Sequence, residues 1–306
     1  MMTLVKQGKT ALLKSAALIT VLSITACSTL QNSNTKTAEE LKNEPGTLLI
    51  MTERSADDGS FTTRLFINEG YLHMSDSRTP SDFMVFNRTE QTIYNVTSEE
   101  KTILVIRKKP ITIESPIVLD YQEVSQPSSA IPSIEGKTAT HYLFNANGKH
   151  CYDAVTMPKD FMPDVVAAMR EFRQVLAGEH ATTVLNTPKD LLDACDLSLN
   201  VFYATKHMDH GLPIREWDRH GYQRFMKDYR ENLQASEGTF DLPKDYKRYS
   251  IGDMLVGSEK KKEAMQENMT HEDTKEKDMK HDKMKKEDMM KKDMMPKNEK
   301  EGMMEI

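Results

Sequence analysis

The chain has 306 residues, with 41 Lys or Arg against 47 Asp or Glu and a net charge of −6. This acidic balance argues against a nucleic-acid-binding protein, because phosphate binding needs a basic surface. Three cysteines are too few for a disulfide scaffold, whereas 21 methionines are an unusual number. The length allows one large domain or two modest ones, each with a sizeable core.

Residues 1–26 have the pattern of a secretory signal. Three lysines and no acidic residue precede an apolar run at residues 16–24. That run has about half the length that a permanent membrane-spanning helix requires. The segment is therefore predicted to direct export and to be removed.

The predicted signal ends in Ile24-Thr25-Ala26-Cys27, an aliphatic residue and a small pair followed by cysteine. This sequence resembles the lipoprotein box of bacterial lipoproteins. The resemblance implies that Cys27 becomes the first residue after cleavage and carries a diacylglycerol and an acyl chain, which anchor the protein to the membrane. Ser28 at the next position implies sorting to the outer membrane. An ordinary signal peptide followed by a chance cysteine is the alternative.

Residues 27–45 are polar and are predicted to form a flexible tether. From Gly46 onward, short apolar runs separated by tight turns predict antiparallel strands. The predicted strands are residues 47–51, 61–67, 71–74, 83–86, 92–96, 102–106, 111–113, 117–123, 138–144 and 149–157.

The hydrophobic period changes after the last of these strands. Apolar residues at positions 161–176 recur on one helical face, which predicts a helix that Asp160 caps and Gly178 ends. A second, short helix is predicted at residues 188–192, and residues 212–229 have a mixed pattern.

These patterns predict an α+β fold, with an antiparallel β meander or half-barrel covered by helices in residues 46–257. The lipoprotein box, the meander and the helical cover resemble the lipoprotein-carrier-type half-barrels of bacterial envelopes. A closer resemblance is to poorly characterised periplasmic lipoproteins, on segments 82–94, 102–106 and 210–213 and on a cysteine-containing hairpin with a second cysteine after a helix. It covers residues 46–249 and implies a fold without bringing a catalytic residue.

Two thiols remain once Cys27 is acylated, namely Cys151 and Cys195. In an oxidising compartment they are predicted to form a disulfide that joins the last hairpin to the helical layer. The alternative is a metal or redox pair, with His150 next to Cys151, but the chain has no local CxxC pattern to favour it.

Standard catalytic signatures such as GxSxG, HExxH and the P-loop are missing from the sequence. One dense cluster contains His207, Asp209 and His210, and Asp218 and His220 follow it. Imidazoles with a carboxylate are a weak indication of a zinc or copper site, or of an enzyme that uses this region. A polar loop whose side chains cap backbone groups is the alternative.

The tail at residues 258–306 has 10 Met, 13 Lys and 14 acidic residues and is predicted to be disordered or a solvated helix. Thioether sulfur is a soft ligand that prefers Cu(I) or Ag(I), and clustered Met with occasional His resembles the Met-rich segments of periplasmic copper-handling proteins. The candidate ligands are His271, Met279, His281, Met284, Met289, Met290, Met294 and Met295. The alternatives are an oxidant sink and low-complexity sequence that binds nothing.

The first functional hypothesis is a non-enzymatic binding or envelope-maintenance lipoprotein on the periplasmic face of the outer membrane. Its partners would be the membrane, through the lipid anchor, and a lipid, peptide or envelope protein on a concave apolar face, with no nucleic acid. Cu(I) handling by the tail is the second hypothesis. An enzyme that uses the region from His207 to His220 is the third.

Overall fold

A computed structural model of the chain describes residues 36–57, 59–128 and 131–254. The predictions for the signal, for Cys27 and for the tail at residues 258–306 concern residues outside these ranges, as does most of the tether. All described residues except Lys36 belong to one unit that begins at Thr37.

We number twelve strands and three α-helices in the described residues, with short 3₁₀ and π-helical turns between the later elements, and residues 251–254 are helical as well. The strands are β1 Gly46–Ser55, β2 Gly59–Ile67, β3 Tyr71–Asp76, β4 Phe83–Asn87, β5 Thr92–Thr97, β6 Thr102–Arg107, β7 Tyr121–Pro127, β8 Thr140–Ala146, β9 Lys149–Thr156, β10 Pro213–Asp218, β11 Gln223–Leu233 and β12 Lys247–Tyr249. The helices are α1 Ala38–Lys42, α2 Pro163–Val184 and α3 Ala194–Leu197. The 3₁₀ turns are Lys189–Leu191 and Lys206–Met208, and the π-helical turn is Ser198–Phe202.

All twelve strands form one mostly antiparallel sheet in the order β12-β6-β5-β4-β3-β2-β1-β11-β10-β9-β8-β7. Strands β1 to β6 follow one another as hairpins and form the first half of the sheet. Strands β7 to β11 form the second half, which joins the first because β11 pairs with β1. Strand β12 adds to the outer edge of β6 in parallel. The predicted antiparallel meander is confirmed, and it is larger than expected.

Helix α2 covers one face of the first half. Its buried residues Val165, Ala168 and Met169 belong to the same core cluster as Leu72 of β3 and Phe86 of β4. Because α2 occupies this face, the apolar side chains of the strands pack against the helix.

The opposite face of the first half is also packed. Phe240, from the segment between β11 and β12, stacks on Tyr71 with ring centroids 4.9 Å apart and lies 6.0 Å from the Phe66 ring. A further buried cluster on this face includes Val96 and Ile103. The first half is therefore apolar on both sides.

Two predicted ends of α2 are wrong. The residue before the helix is Met162, with positive φ and no side-chain cap, while Asp160 forms an ion pair with Lys137. Gly178 lies inside α2 and does not end it. A Cβ at this position would be 2.3 Å from the Lys109 carbonyl oxygen, so only glycine permits this close approach.

Other differences lie after β6. Residues 111–113 are irregular, the strand predicted at 117–123 begins only at Tyr121, and the short helix predicted at 188–192 is one 3₁₀ turn. The mixed segment at 212–229 forms β10 and most of β11. None of the helices within the described ranges is long and apolar enough to span a bilayer.

Candidate functional site

A ladder of polar side chains crosses the second half of the sheet. Arg224 of β11 lies opposite both Glu53 of β1 and Glu216 of β10. Glu216 in turn lies opposite Ala154 of β9, and Tyr152 is two residues along that strand on the same face. The strand register therefore brings together residues from four strands.

Glu216 is the centre of this ladder and is 1 % exposed. Arg224 donates from Nε to Oε2 of Glu216 over 2.7 Å, and the hydroxyl of Tyr152 donates to Oε1. Tyr222 lies beside them and donates its hydroxyl to Glu53 over 2.7 Å. Both oxygens of the buried carboxylate are thus engaged, as a buried charge requires.

The pKa values reflect this environment. Burial acts to raise the pKa of Glu216, but the adjacent Arg224 guanidinium outweighs it, so the pKa falls below its usual value and the carboxylate stays ionised. Burial, together with the negative charge of Glu216, raises the pKa of Tyr152 well above its usual value.

His207, in the second 3₁₀ turn, packs against this ladder. Its ring lies edge-on to Tyr152 with centroids 5.6 Å apart, and it is 3 % exposed. Its Nε2 atom makes no hydrogen bond within the described ranges, and Oε1 of Glu216 is 3.8 Å away. Burial, and then the positive charge of Arg173, lowers the pKa of His207 to about 3, so the imidazole is neutral near pH 7.

A cavity of about 160 Å³ lies between the ladder and the helical elements; we call it the Glu216 cavity. The sheet contributes the ladder residues, and α2 contributes Arg173. The π-helical turn contributes Asn200, and His207 borders the cavity as well. The Cys151–Cys195 pair forms a further part of the wall. Most of the residues that line the cavity therefore carry polar or charged side chains, and Leu199 and the disulfide add apolar surface.

The predicted pairing of Cys151 with Cys195 is confirmed, with the sulfur atoms 1.98 Å apart and the Cα atoms 5.3 Å apart. In the β8–β9 pairing, Phe144 is opposite Tyr152 and the next residue of β8 is opposite His150, which leaves Cys151 as the extra residue of a β-bulge. This bulge places Cys151 and Tyr152 in the same buried cluster as Cys195.

The other face of the second half carries a separate polar cluster. Asp153 is 3 % exposed, and its two carboxylate oxygens lie 2.8 Å from Nε2 of His141 and 2.6 Å from Nε2 of His150. The amide of Gln126 donates to Nδ1 of His141 over 2.8 Å, so the His141 proton is on Nε2 and points at Asp153. Within the described ranges, no three His, Cys, Asp or Glu side chains are arranged to hold a metal ion.

The residues of the predicted histidine cluster lie at different sites in the structure. His207 borders the Glu216 cavity, as do Asp218 and His220 from the end of β10. Asp209 instead forms ion pairs with Arg170 and Lys206 on the protein surface.

His210 contacts different residues from those that surround His207. Its Nε2 is 2.6 Å from Oε1 of Glu123, and its ring stacks on Tyr142 at 3.9 Å. The structure therefore does not assemble His207, Asp209 and His210 around one point.

The predicted residues outside the described ranges are the lipidation site and the soft-metal ligands. They are Cys27, His271, Met279, His281, Met284, Met289, Met290, Met294 and Met295. Sequence reasoning missed Tyr152, Arg173, Glu216 and Arg224. The sequence does contain one indication in β10. Glu216 is two residues after the apolar Ile214, so in a strand both side chains point to the same face, which predicts an inward-facing charge.

No protein-family model and no curated protein matches the chain. Among solved structures, the chain is similar to an uncharacterized conserved protein from Thermus thermophilus, with a TM-score of 0.35 and 10% sequence identity. The similarity covers 69% of this chain and 93% of that chain. The chain is also similar to PNGF-II, with a TM-score of 0.33 and 6% identity, over 68% of this chain and 31% of that one.

Proposed function

We propose that this chain is a lipid-anchored, non-enzymatic binding protein on the periplasmic face of the outer membrane, with its ligand site in the Glu216 cavity. The observation that carries the proposal is this cavity, lined by several charged side chains, between the sheet and the helical layer. The lipoprotein box ending at Cys27 supports the anchor and the location. The disulfide supports an oxidising compartment.

In this proposal the sheet is a half-barrel of the lipoprotein-carrier type, with α2 as its internal cover. The proposal differs from the first hypothesis in where the ligand binds. Side chains of α2 such as Val165 and Met169 pack directly against the apolar strands, so we place the ligand in the polar cavity beside the helix. A lipid or peptide on the apolar face is then the competing outcome.

The state of His207 favours binding over acid–base catalysis. A general base works best when its pKa is near the working pH, and the pKa of His207 is lowered to about 3 by burial and by Arg173. The Tyr152 hydroxyl, whose pKa is raised well above its usual value, is a poor proton donor at the same pH. The oxygens of Glu216 are occupied by Tyr152 and Arg224.

A ligand-observed NMR screen with small polar fragments tests the position of the site. The matched variant is Asn200→Trp, which fills the cavity from the π-helical turn without removing a ladder residue. We expect fragments that bind the wild-type protein to lose binding in Asn200→Trp, with the same circular dichroism spectrum for both proteins. Equal binding by both proteins, or binding of lipid fragments alone, would contradict this site.

The anchor is tested separately with Cys27→Ser. Labelled palmitate is expected to enter the wild-type protein and not the variant, because the thioether needs the cysteine sulfur. The variant should also leave the outer-membrane fraction. Replacement of Ser28 by Asp is the matched control, since it keeps the acylated cysteine and changes only the sorting position.

Cu(I) or Ag(I) binding by the tail is the second candidate function, and the clustered methionines favour it. Leucine keeps the size of methionine but lacks its sulfur. Substitution of Met279, Met284, Met289, Met290, Met294 and Met295 by Leu should therefore reduce Cu(I) binding in a competition titration, and substitution of Met303 and Met304 alone should reduce it less. Unchanged Cu(I) binding in the sixfold variant would refute a tail site.

A further inference from the structure

One arginine that lines the Glu216 cavity has no hydrogen-bond or ion-pair partner within the described ranges. Arg224 is paired with Glu216, and Nη2 of Arg219 is 2.7 Å from Oδ1 of Asp193. Arg173 of α2 lines the cavity, and none of the hydrogen bonds or ion pairs of the described residues involves its guanidinium. The N–H donors of this half-buried residue therefore have no direct acceptor, although its charge acts at longer range on the Glu216 carboxylate.

The acidic residues around the cavity are engaged elsewhere. Both oxygens of Glu216 accept hydrogen bonds from ladder residues. Oδ1 of Asp218 accepts from the backbone amides of His220 and Tyr222 over 2.8 and 3.0 Å. Asp196 is 64 % exposed and lies 4.0 Å from Arg219. The cavity therefore offers the N–H donors of Arg173 without a direct partner, while both oxygens of the central Glu216 carboxylate are engaged, which favours an oxyanion bound at Arg173.

The volume limits the size of the occupant. At about 160 Å³, the cavity is similar to an engineered cavity of about 150 Å³ that holds benzene. Pockets for drug-sized ligands measure about 300–1,000 Å³. A group with a few non-hydrogen atoms matches this volume.

We infer that the Glu216 cavity binds a small oxyanion, a carboxylate or phosphate group, through the guanidinium of Arg173. This inference rests on the proposed function, because it names the ligand class of the same site. Guanidinium presents two parallel N–H donors that match two oxygens of such a group. The neutral ring of His207, whose Nε2 has no partner in the described ranges, adds a second polar group at the border of the cavity.

Isothermal titration calorimetry of the full-length lipidated protein in detergent tests the inference, with sodium phosphate and sodium acetate as separate probes in a chloride buffer. We expect saturable binding of at least one probe, and the stronger probe distinguishes a tetrahedral from a planar group. Arg173→Gln should weaken that binding about tenfold or more, because it removes the charged fork. Arg173→Lys, which keeps the charge and loses the fork, should give an intermediate loss and also serves if Arg173→Gln is unstable.

The matched control is Arg170→Gln, one turn earlier on α2. Arg170 pairs with Asp209 outside the cavity, so its removal should change the affinity for the oxyanion less than twofold. No saturable binding of either probe, or equal weakening in the Arg170 and Arg173 variants, would overturn the inference.

The fragment screen with Asn200→Trp separates the two proposals. If neutral fragments bind the wild-type protein and not Asn200→Trp while neither oxyanion binds, the binding function stands and the oxyanion inference falls. If neither fragments nor oxyanions depend on the cavity, both fall.

Discussion

The two halves of the sheet use buried space in opposite ways. In the first half, β1 to β6 present apolar residues on both faces, to α2 on one side and to the segment around Phe240 on the other. In the second half, each face carries a buried carboxylate, Glu216 towards the helices and Asp153 on the reverse. Side chains of neighbouring strands hold Glu216, whereas Asp153 contacts His141 of the neighbouring strand and His150 of its own.

In our proposal, this difference separates a region that stabilises the fold from the region that binds the ligand. Apolar burial stabilises the fold by about 25 cal/mol per Å² without any requirement for partners. A buried ion pair contributes little net stability, because desolvation offsets the Coulomb attraction, and it becomes very unfavourable when one partner is lost. The buried charges of the second half are therefore better explained by a site than by stability.

The largest expected effect comes from breaking the ladder. Glu216→Leu leaves Arg224 buried without its carboxylate, so we expect the free energy of unfolding in urea to fall by about 3–5 kcal/mol. The matched change for the first half is Glu171→Leu on α2, which removes the partner of Arg88, the residue after β4, at 2.8 Å. Arg88 keeps two backbone carbonyls as acceptors, so the expected loss is about 1 kcal/mol. Equal losses would contradict the contrast between the halves.

The next effect concerns the disulfide. Cys151 and Cys195 are 44 residues apart, and the chain-entropy model gives a stabilisation of about 3–4 kcal/mol for a loop of this length. We expect that loss when both cysteines become Ser. Hydrogen exchange should accelerate first in α3 and around the Glu216 cavity, with β1 to β6 still protected. A uniform acceleration in both halves would show that they do not open independently.

A smaller effect is expected from protonation of His207. The pKa of His207 is lowered to about 3 in the folded protein, while the unfolded chain has a value near 6.5, so the unfolded state binds more protons between these pH values. Stability is therefore lost as the pH falls below about 6.5, by up to about 1.4 kcal/mol per pH unit.

His207→Gln should remove about 2 kcal/mol of the stability loss between pH 6.5 and pH 5 in urea unfolding. The control is His73→Gln in β3, where burial also lowers the pKa of the histidine, but without nearby arginines as a cause. We expect a smaller change in the pH dependence for this variant. The same pH dependence in wild type and His207→Gln would exclude His207 as its source.

The first half was largely predictable from the sequence. Alternating apolar residues predicted β2 to β6, because strands with one buried face have a period of two and local hairpin turns set their order. The Cys151–Cys195 pairing was also predictable, since two thiols remained for an oxidising compartment.

The second half was less predictable because its pairing is not local. Strand β11 is mostly polar, and it joins the sheet through pairs such as Leu49 with Tyr229, which are distant in the sequence. The ladder depends on the same register, so Glu216 and Arg224 could not be placed together from the sequence alone. Only the inward position of Glu216 in β10 could have been predicted from the sequence.

The most direct test of a ligand site in the second half is the map of amide chemical-shift changes in the full-length protein when phosphate or acetate is added. We expect saturable changes concentrated around Arg173, Asn200, His207 and Tyr222, where the Glu216 cavity lies. Changes confined to β1 to β6, or no saturable change anywhere, would contradict the assignment of function to the second half of the sheet.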